Sequence, residues 1–341
     1  MRTGKITENV LKRSVWKQIH NGKYKNGAAG YTDCACFRAL ENGEDEVLSS
    51  TYTVTANLSH CGKYAVVGAC NNILAGGGSP FQVLLSITLP KDEQESVIRQ
   101  VMRDAEDAAI AFGAEIAGGH TEVSGAVNWP LITATAVGYK SGNDMGKEAS
   151  AKEKKKALLD DAESLDIIVT KWIALSGTAM LAEEKEENIS KRYPSFIKDA
   201  GLSFGRMDYL SILDEARIAQ ENGALYMHDL SSGGVFAGLW ELGQMAGLGM
   251  EVDLKAIPIR QETVEITDVF DVNPYILASA GSLLIAARDG KKMVSALEAE
   301  GIPSTIIGKL TKGNDRIIRN EDETRFLDLP QSDEILKILA D

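Results

Sequence analysis

Two short stretches of this 341-residue chain carry residue types that together handle an anion. The first is Gly118, Gly119, His120, Thr121 and Glu122; the second is His228, Asp229, Leu230, Ser231, Ser232, Gly233 and Gly234. Glycine lets a backbone approach a ligand closely, and the first amides of a helix have no internal partner. A Ser-Ser-Gly-Gly turn ahead of a helix therefore reads as a phosphate-type site. It also reads as an ordinary serine cap, a feature that contributes about 1 kcal/mol. Glu122 and Asp229 supply carboxylates. His120, with an ordinary pKa of about 6.5, supplies a hydrogen bond to phosphate or an acid near neutral pH. A locally satisfied histidine in a polar surface loop is the plain alternative for the first stretch. His228 reads as a turn partner rather than a base.

The elements around these stretches follow from periodicity. Ala224 to Met227 is a short apolar strand, and Val235, Phe236, Leu239, Leu242 and Ala246 recur at helical spacing, so the serine-glycine turn joins a strand to a helix. Ala114 to Ala117 is a strand leading into a Gly118 to Glu122 loop, and Leu131 to Gly138 is the returning strand. Asp92 to Phe112 reads as a helix, with Asp92 as cap, Glu95 three residues on, one stripe from Val97 to Phe112, and Gly113 as its stop. Lys63 to Ala75 is a helix that places Asn71 and Asn72 in its last turns. Strands are expected at Cys34 to Leu40, Val47 to Thr55 and Phe81 to Leu89, with a turn at Asn42 and Gly43. Residues 1 to 20 read as a helix with Val10, Leu11, Val15, Trp16 and Ile19 inward. Later come a strand at Asp166 to Thr170, a turn at Lys171 to Gly177, and helices at Thr178 to Glu184 and Tyr209 to Asn222. Strands at Gly281 to Ala287 and Thr305 to Leu310 flank a helix at Lys291 to Ala299. Tyr139 to Lys156 is rich in Ser, Gly, Asn and Lys and reads as the linker between residues 1–150 and 151–341.

Composition narrows the partners. The 36 basic and 49 acidic residues give a net charge of −13, which disfavours nucleic acid and anionic membranes as main ligands. The start of the chain lacks a leader pattern and no stretch is apolar enough to span a bilayer, so the expectation is a cytoplasmic protein. Cys34, Cys36, Cys61 and Cys70 form no CxxC pair; they read as reduced packed thiols, with Cys34 and Cys36 as half of a metal site at most.

In order along the chain, six segments resemble the superfamily of aminoimidazole ribonucleotide (AIR) synthetase, which includes the hydrogenase-maturation carbamoyl dehydratase, selenophosphate synthetase and thiamine-monophosphate kinase. GYTDCACF is similar to the family's GDDAAVF strand, AVVGACNNILAGGGSP to its AVxxxVNDLAAMGAxP helix, and IAGGHTEVSGAVNWPLITATAVG to its GGDT or GGET segment. DIIVTKWIALSGTAMLAEE resembles the stretch after the domain junction, MHDLSSGG the MHDxTxGG unit, and NPYILASAGSLLIAA the DPxxLxSxGxLLxA strand. The nearest likeness is to the hydrogenase-maturation type.

That resemblance implies an α+β fold of two domains, the first pairing with its copy in a homodimer through a shared β-barrel and the second an α/β sandwich. It implies ATP with Mg²⁺ in the cleft, phosphorylation of a small amide, carboxylate or phosphate acceptor, and, for the maturation type, a partner protein. Carried over by residue, Asp33 and Asn72 fall at metal positions. Asn71, Gly118, Gly119, Thr121, Lys171, Ser231, Gly233 and Gly234 fall at nucleotide positions, and His120, Glu122 and Asp229 at reacting ones. The family has acids at Thr32, Asn72 and His120, and at or near Ala56 and Asn57. Their absence implies a weakened Mg²⁺ site, because Mg²⁺ draws affinity from carboxylate charge. The chain also ends ILAD, without the terminal cysteine on which the carbamoyl dehydratase acts, and Cys34 and Cys36 lie beyond the arm that carries the selenophosphate synthetase nucleophile. Three readings stay open: an ATP-dependent enzyme, a nucleotide-binding regulator that has lost the chemistry, and a purine-pathway cyclo-ligase.

Overall fold

The computed structural model describes residues 4–19, 32–38, 45–141 and 165–339. Two sheets organise them. The first has the order β1-β2-β5-β3-β4, from Ala35–Arg38, Glu46–Val54, Leu131–Lys140, Ser79–Leu89 and Glu115–Val123 respectively. Helices α2 (Cys61–Ala75) and α3 (Glu95–Ala111) follow α1 (Glu8–Ser14) in the chain, and α2 packs on α3 and on this sheet. The stripe foreseen for α3 is real: Val101, Ala105, Ala108 and Ala109 are buried. Strand β3 alternates, with Val83, Leu85 and Ile87 against the helices and Leu84 on the other face, 43% exposed. That is the pattern of a sheet covered on one side only.

The second sheet has the order β12-β11-β8-β10-β6-β9-β7. Its strands are β6 (Leu165–Thr170), β7 (Tyr226–Leu230), β8 (Gly249–Asp253), β9 (Ser282–Ala287), β10 (Ser304–Thr311), β11 (Arg316–Asn320) and β12 (Glu323–Phe326). Its helices are α4 (Leu175–Glu184), α5 (Glu186–Ser190), α6 (Ser195–Ser203), α7 (Met207–Leu210), α8 (Leu213–Glu221), α9 (Gly234–Ala246), α10 (Gln261–Val269), α11 (Gly290–Ala299) and α12 (Leu336–Leu339). Strand β9 is buried at every position, as the unbroken SLLIAA run requires of a strand covered on both faces. Leu284 and Ala286 join one core with Leu239 of α9, while Leu283 and Ile285 join another with Met293 of α11. No helix among the described residues is long and apolar enough to cross a membrane.

Five expectations change. The N-terminal helix is confined to Glu8–Ser14, and Val15 and Ile19 are 44% and 49% exposed rather than inward, because no core face among the described residues covers them. Asp92 does not cap α3; its φ is +66° and the helix begins three residues later. Helix α4 starts at Leu175, ahead of the expected Thr178. Gly118 to Glu122 form no loop, since β4 runs through them as an edge strand parallel to β3. The helix expected over Tyr209 to Asn222 is broken between α7 and α8, where side chains from elsewhere take its backbone groups. Lys171 Nζ donates to the carbonyls of Tyr209 and Ser211, and Asn71 donates to Leu210 and accepts from Ile212 N–H. The Asn42–Gly43 turn, the glycine-rich arm over 21–31 and most of the linker, including the boundary near residue 150, lie outside the described residues.

Candidate functional site

Strand β7 delivers His228 and Asp229 to the junction of the two halves, and the chain then turns through Ser231, Ser232 and Gly233 into α9. Gly234 has φ +65°, and a Cβ there would lie 2.6 Å from the Tyr275 carbonyl oxygen and 2.7 Å from that of Leu277. No other residue fits without moving backbone. The turn does not present all its amides to solvent. Asp333, near the C-terminus, accepts from Gly233 N–H at 2.7 Å, Ile335 N–H at 3.0 Å and Ala278 N–H at 3.2 Å. Burial pushes this carboxyl up to about 6, with the three amides pulling against it.

A chain of charges crosses the junction. The His228 ring bonds Asp33 from the first half through Nδ1 at 2.8 Å and Glu241 through Nε2 at 3.0 Å, and Lys5 reaches Glu241 at 3.2 Å. Burial opposes the charge on His228, but Asp33 and Glu241 outweigh it and hold the imidazole up at about 10. Burial likewise opposes the Glu241 carboxylate, and Lys5 and His228 hold it down at about 2. Asp229 is the exception. Neither of its buried oxygens has a hydrogen-bond partner among the described residues, and burial together with the neighbouring Asp33 holds its carboxyl well above the ordinary range.

Asp33 and Asn72 do not fit a resident Mg²⁺. The Asp33 carboxylate is engaged by His228, and Asn72 donates to Ser50 Oγ, which in turn donates to the Asp33 carbonyl. Asp229 alone is left, and among the described residues no three His, Cys, Asp or Glu side chains gather as ligands. A hard cation that relies on carboxylate charge is poorly served by one such group. The cysteines add nothing to this: all four are free, and burial pushes the Cys34 and Cys70 thiols up to about 12.

Between the halves lies a cavity of about 560 Å³, within the size range of ligand pockets. Lys5, Thr53, Trp129, Ser231, Ser232 and Asp333 are on its wall. The halves are tied around it by Lys63 to Glu183 at 2.9 Å, Tyr64 to the same carboxylate at 2.9 Å, and Ser59 N–H to Glu184 at 2.6 Å. Of the residues expected to meet, Ser231 lines this cavity, while Asp229, Gly233 and Gly234 flank it in the chain without standing on its wall. Gly118, Gly119, His120, Thr121 and Glu122 do not line it; they sit on the exposed edge strand β4. There His120 and Glu122 share one face of the strand, 3.5 Å apart and 71% and 53% exposed. Gly119 has a packing reason of its own, since a Cβ there would fall 1.8 Å from the Leu85 carbonyl oxygen of β3. Asn71 is wholly buried and holds the α7–α8 break. Lys171 is corrected in the same way: its ammonium is spent on Glu215 at 2.6 Å and on the Tyr209 and Ser211 carbonyls, away from any ligand.

Lys5, Trp129 and Asp333 were not singled out from sequence, whereas Ser232 belongs to the serine-glycine turn that was. Lys5 is the sole cationic side chain on the cavity wall among the described residues, and its only sequence signal is a Gly-Lys pair ahead of the first helix. Asp333 carries no signal of its role, because the Ala278 and Gly233 amides it binds lie 55 and 100 positions away.

Known proteins match this chain along most of its length. The model for the AIR synthase related protein N-terminal domain matches residues 31–139, and that for the AIR synthase related protein C-terminal domain matches 165–319. A hydrogenase expression/formation protein of Methanocaldococcus jannaschii is 23% identical, over 98% of this chain and 97% of its own. Among solved structures, the HypE-HypF complex aligns with TM-score 0.71 at 17% identity, over 94% of this chain and 99% of the other. The hydrogenase maturation protein HypE in complex with ATP aligns with TM-score 0.67 at 17% identity, over 98% and 97%.

Proposed function

The chain belongs to the AIR synthase related family, and from that premise we propose that it binds ATP in the cavity between its halves and phosphorylates a small amide, carboxylate or phosphate acceptor. One observation carries the reading: a cavity of ligand size walled by both halves, with one ammonium and several hydroxyls on it. Lys5 offsets phosphate charge, and Ser231 and Ser232 donate to phosphate oxygens. The γ-phosphoryl group passes to an acceptor oxygen and ADP leaves. Where the acceptor is an amide, a proton leaves as its oxygen is phosphorylated, and Asp229, two residues before Ser231, takes it when ionised. No step is assigned to a resident metal. An ATP complex of one structural neighbour and an AMPPCP complex of another support the choice of nucleotide.

The proposal includes a cytoplasmic homodimer. Among the described residues β4 is an edge strand and the sheet face bearing Leu84, Thr135 and Thr133 carries no helix, so a second copy would cover both and bring His120, Thr121 and Glu122 to a neighbour's cleft. A maturation partner protein is a further ligand under this reading, as in the HypE-HypF neighbour. ATP consumption by the purified protein, assayed over a panel of amides, carboxylates and phosphate esters, tests the enzyme reading. No turnover with any acceptor, with or without Mg²⁺, would sink it.

A nucleotide-binding regulator is the second reading. It is favoured by the occupation of Asp33 by His228, which removes a ligand that metal-assisted transfer would use. It predicts ATP affinity that a chelator leaves unchanged together with no acceptor-dependent turnover; turnover above background would exclude it.

A further inference from the structure

Trp129 is unassigned by anything above, yet it stands on the cavity wall in a fixed attitude. It lies in the connection from β4 to β5, two residues before β5 begins, and its indole N–H donates to the Thr55 carbonyl at 3.2 Å. That bond fixes the ring just past the end of β2. The second-half turn reaches the same cavity through Ser231 and Ser232, and Tyr52 of β2 stands on the wall with them. Thr55 lies just past the last residue of β2, so the strand leads from Tyr52 on the cavity wall to the point where Trp129 is held. Strand β1 pairs with β2 only as far as Ser49, which leaves the stretch from Thr51 to Thr55 to line the cavity. The cavity wall therefore offers the Trp129 ring, the Ser231 and Ser232 hydroxyls, and Lys5 as its cation among the described residues.

Resting on the ATP-binding reading, we propose that Trp129 is the platform on which the nucleobase stacks, so that it sets the orientation of the nucleotide in the cleft. Every base presents a π-face, and an aromatic ring held by its own N–H stacks at small entropic cost. The polyphosphate then lies toward Ser231, Ser232 and Lys5, which supply the hydroxyls and the cation of the same wall.

The test is calorimetric titration of the full chain with AMPPCP and, separately, with inorganic tripolyphosphate, for wild type, Trp129→Ala and Trp129→Phe. The expected result is that Trp129→Ala weakens AMPPCP binding by about tenfold or more. Trp129→Phe, which keeps a ring, restores most of it, and tripolyphosphate affinity stays the same in all three. Unchanged tripolyphosphate binding also reports that the variants are folded. AMPPCP binding that is equal in wild type and Trp129→Ala overturns the stacking assignment alone. Absence of AMPPCP binding by the wild type overturns the ATP-binding reading, and the stacking assignment with it.

Discussion

Replacing Lys171 with Met separates a structural lysine from a nucleotide-binding one. Its ammonium is 2.6 Å from Glu215, donates to two main-chain carbonyls, and has a side chain only 9% exposed against 3% for Glu215. Truncation leaves a buried carboxylate with no counter-charge, in a protein where burial already pushes the Glu215 carboxyl up. Breaking one side of such a pair costs about 3–5 kcal/mol, whereas replacing both sides with apolar groups of similar volume is often neutral. Lys171→Met should therefore lower the urea midpoint clearly, and Lys171→Met with Glu215→Leu should return most of the loss. The backbone strain at position 171, φ +53°, is the same in every variant and drops out of the comparison. In calorimetric titrations under conditions where all variants are folded, AMPPCP affinity should stay within about twofold of wild type. A Lys171→Met protein that keeps its urea midpoint but loses about tenfold in AMPPCP affinity would refute the placement of this side chain.

Three further outcomes follow from the charge chain, the donor set and the bare sheet face. The folded pKa of His228, about 10, lies above its ordinary 6.5, so its contribution is fully present below pH 6.5 and fades as pH rises through 10. His228→Gln should cost about 3–5 kcal/mol near pH 6, with a gap to wild type that narrows toward pH 10; a pH-independent gap in urea unfolding contradicts this. Prolonged chelation should leave the melting temperature unchanged and elemental analysis should find no stoichiometric Mg²⁺, whereas a clear fall in melting temperature would point to a metal the donor set does not support. Leu84→Glu, on the open face of the first sheet, should convert a sedimenting dimer to a monomer, and a wild type that is monomeric throughout would remove the pairing proposed for β4.

What was legible in the sequence was whatever local periodicity decides. The stripe of α3, the buried run of β9 and the strand, turn and helix around Gly233 each depend on near neighbours, and each was read correctly in kind. The six motifs also identified the family. Distant partners decided the rest. Lys171 and Asn71 looked available for a ligand because nothing near them in the chain discloses Glu215, Leu210 or Ile212. Gly118 to Glu122 looked like a loop because two adjacent glycines mark turns in most contexts. Here Gly119 admits the Leu85 carbonyl, and the parallel pairing with β3 carries the strand through. The N-terminal segment showed an apolar period without a surface to bury it, and Asp333 showed nothing until folding brought it to the Gly233 amide.

The central claim is that a nucleotide lies between the two halves, against β2 and the serine turn. A crystal structure of the protein with AMPPCP tests it most directly. The account predicts nucleotide density in the cavity, with the base over Trp129 and the phosphates beside Ser231, Ser232 and Lys5. Density for the nucleotide on another surface, or an empty cavity at saturating AMPPCP, would contradict it.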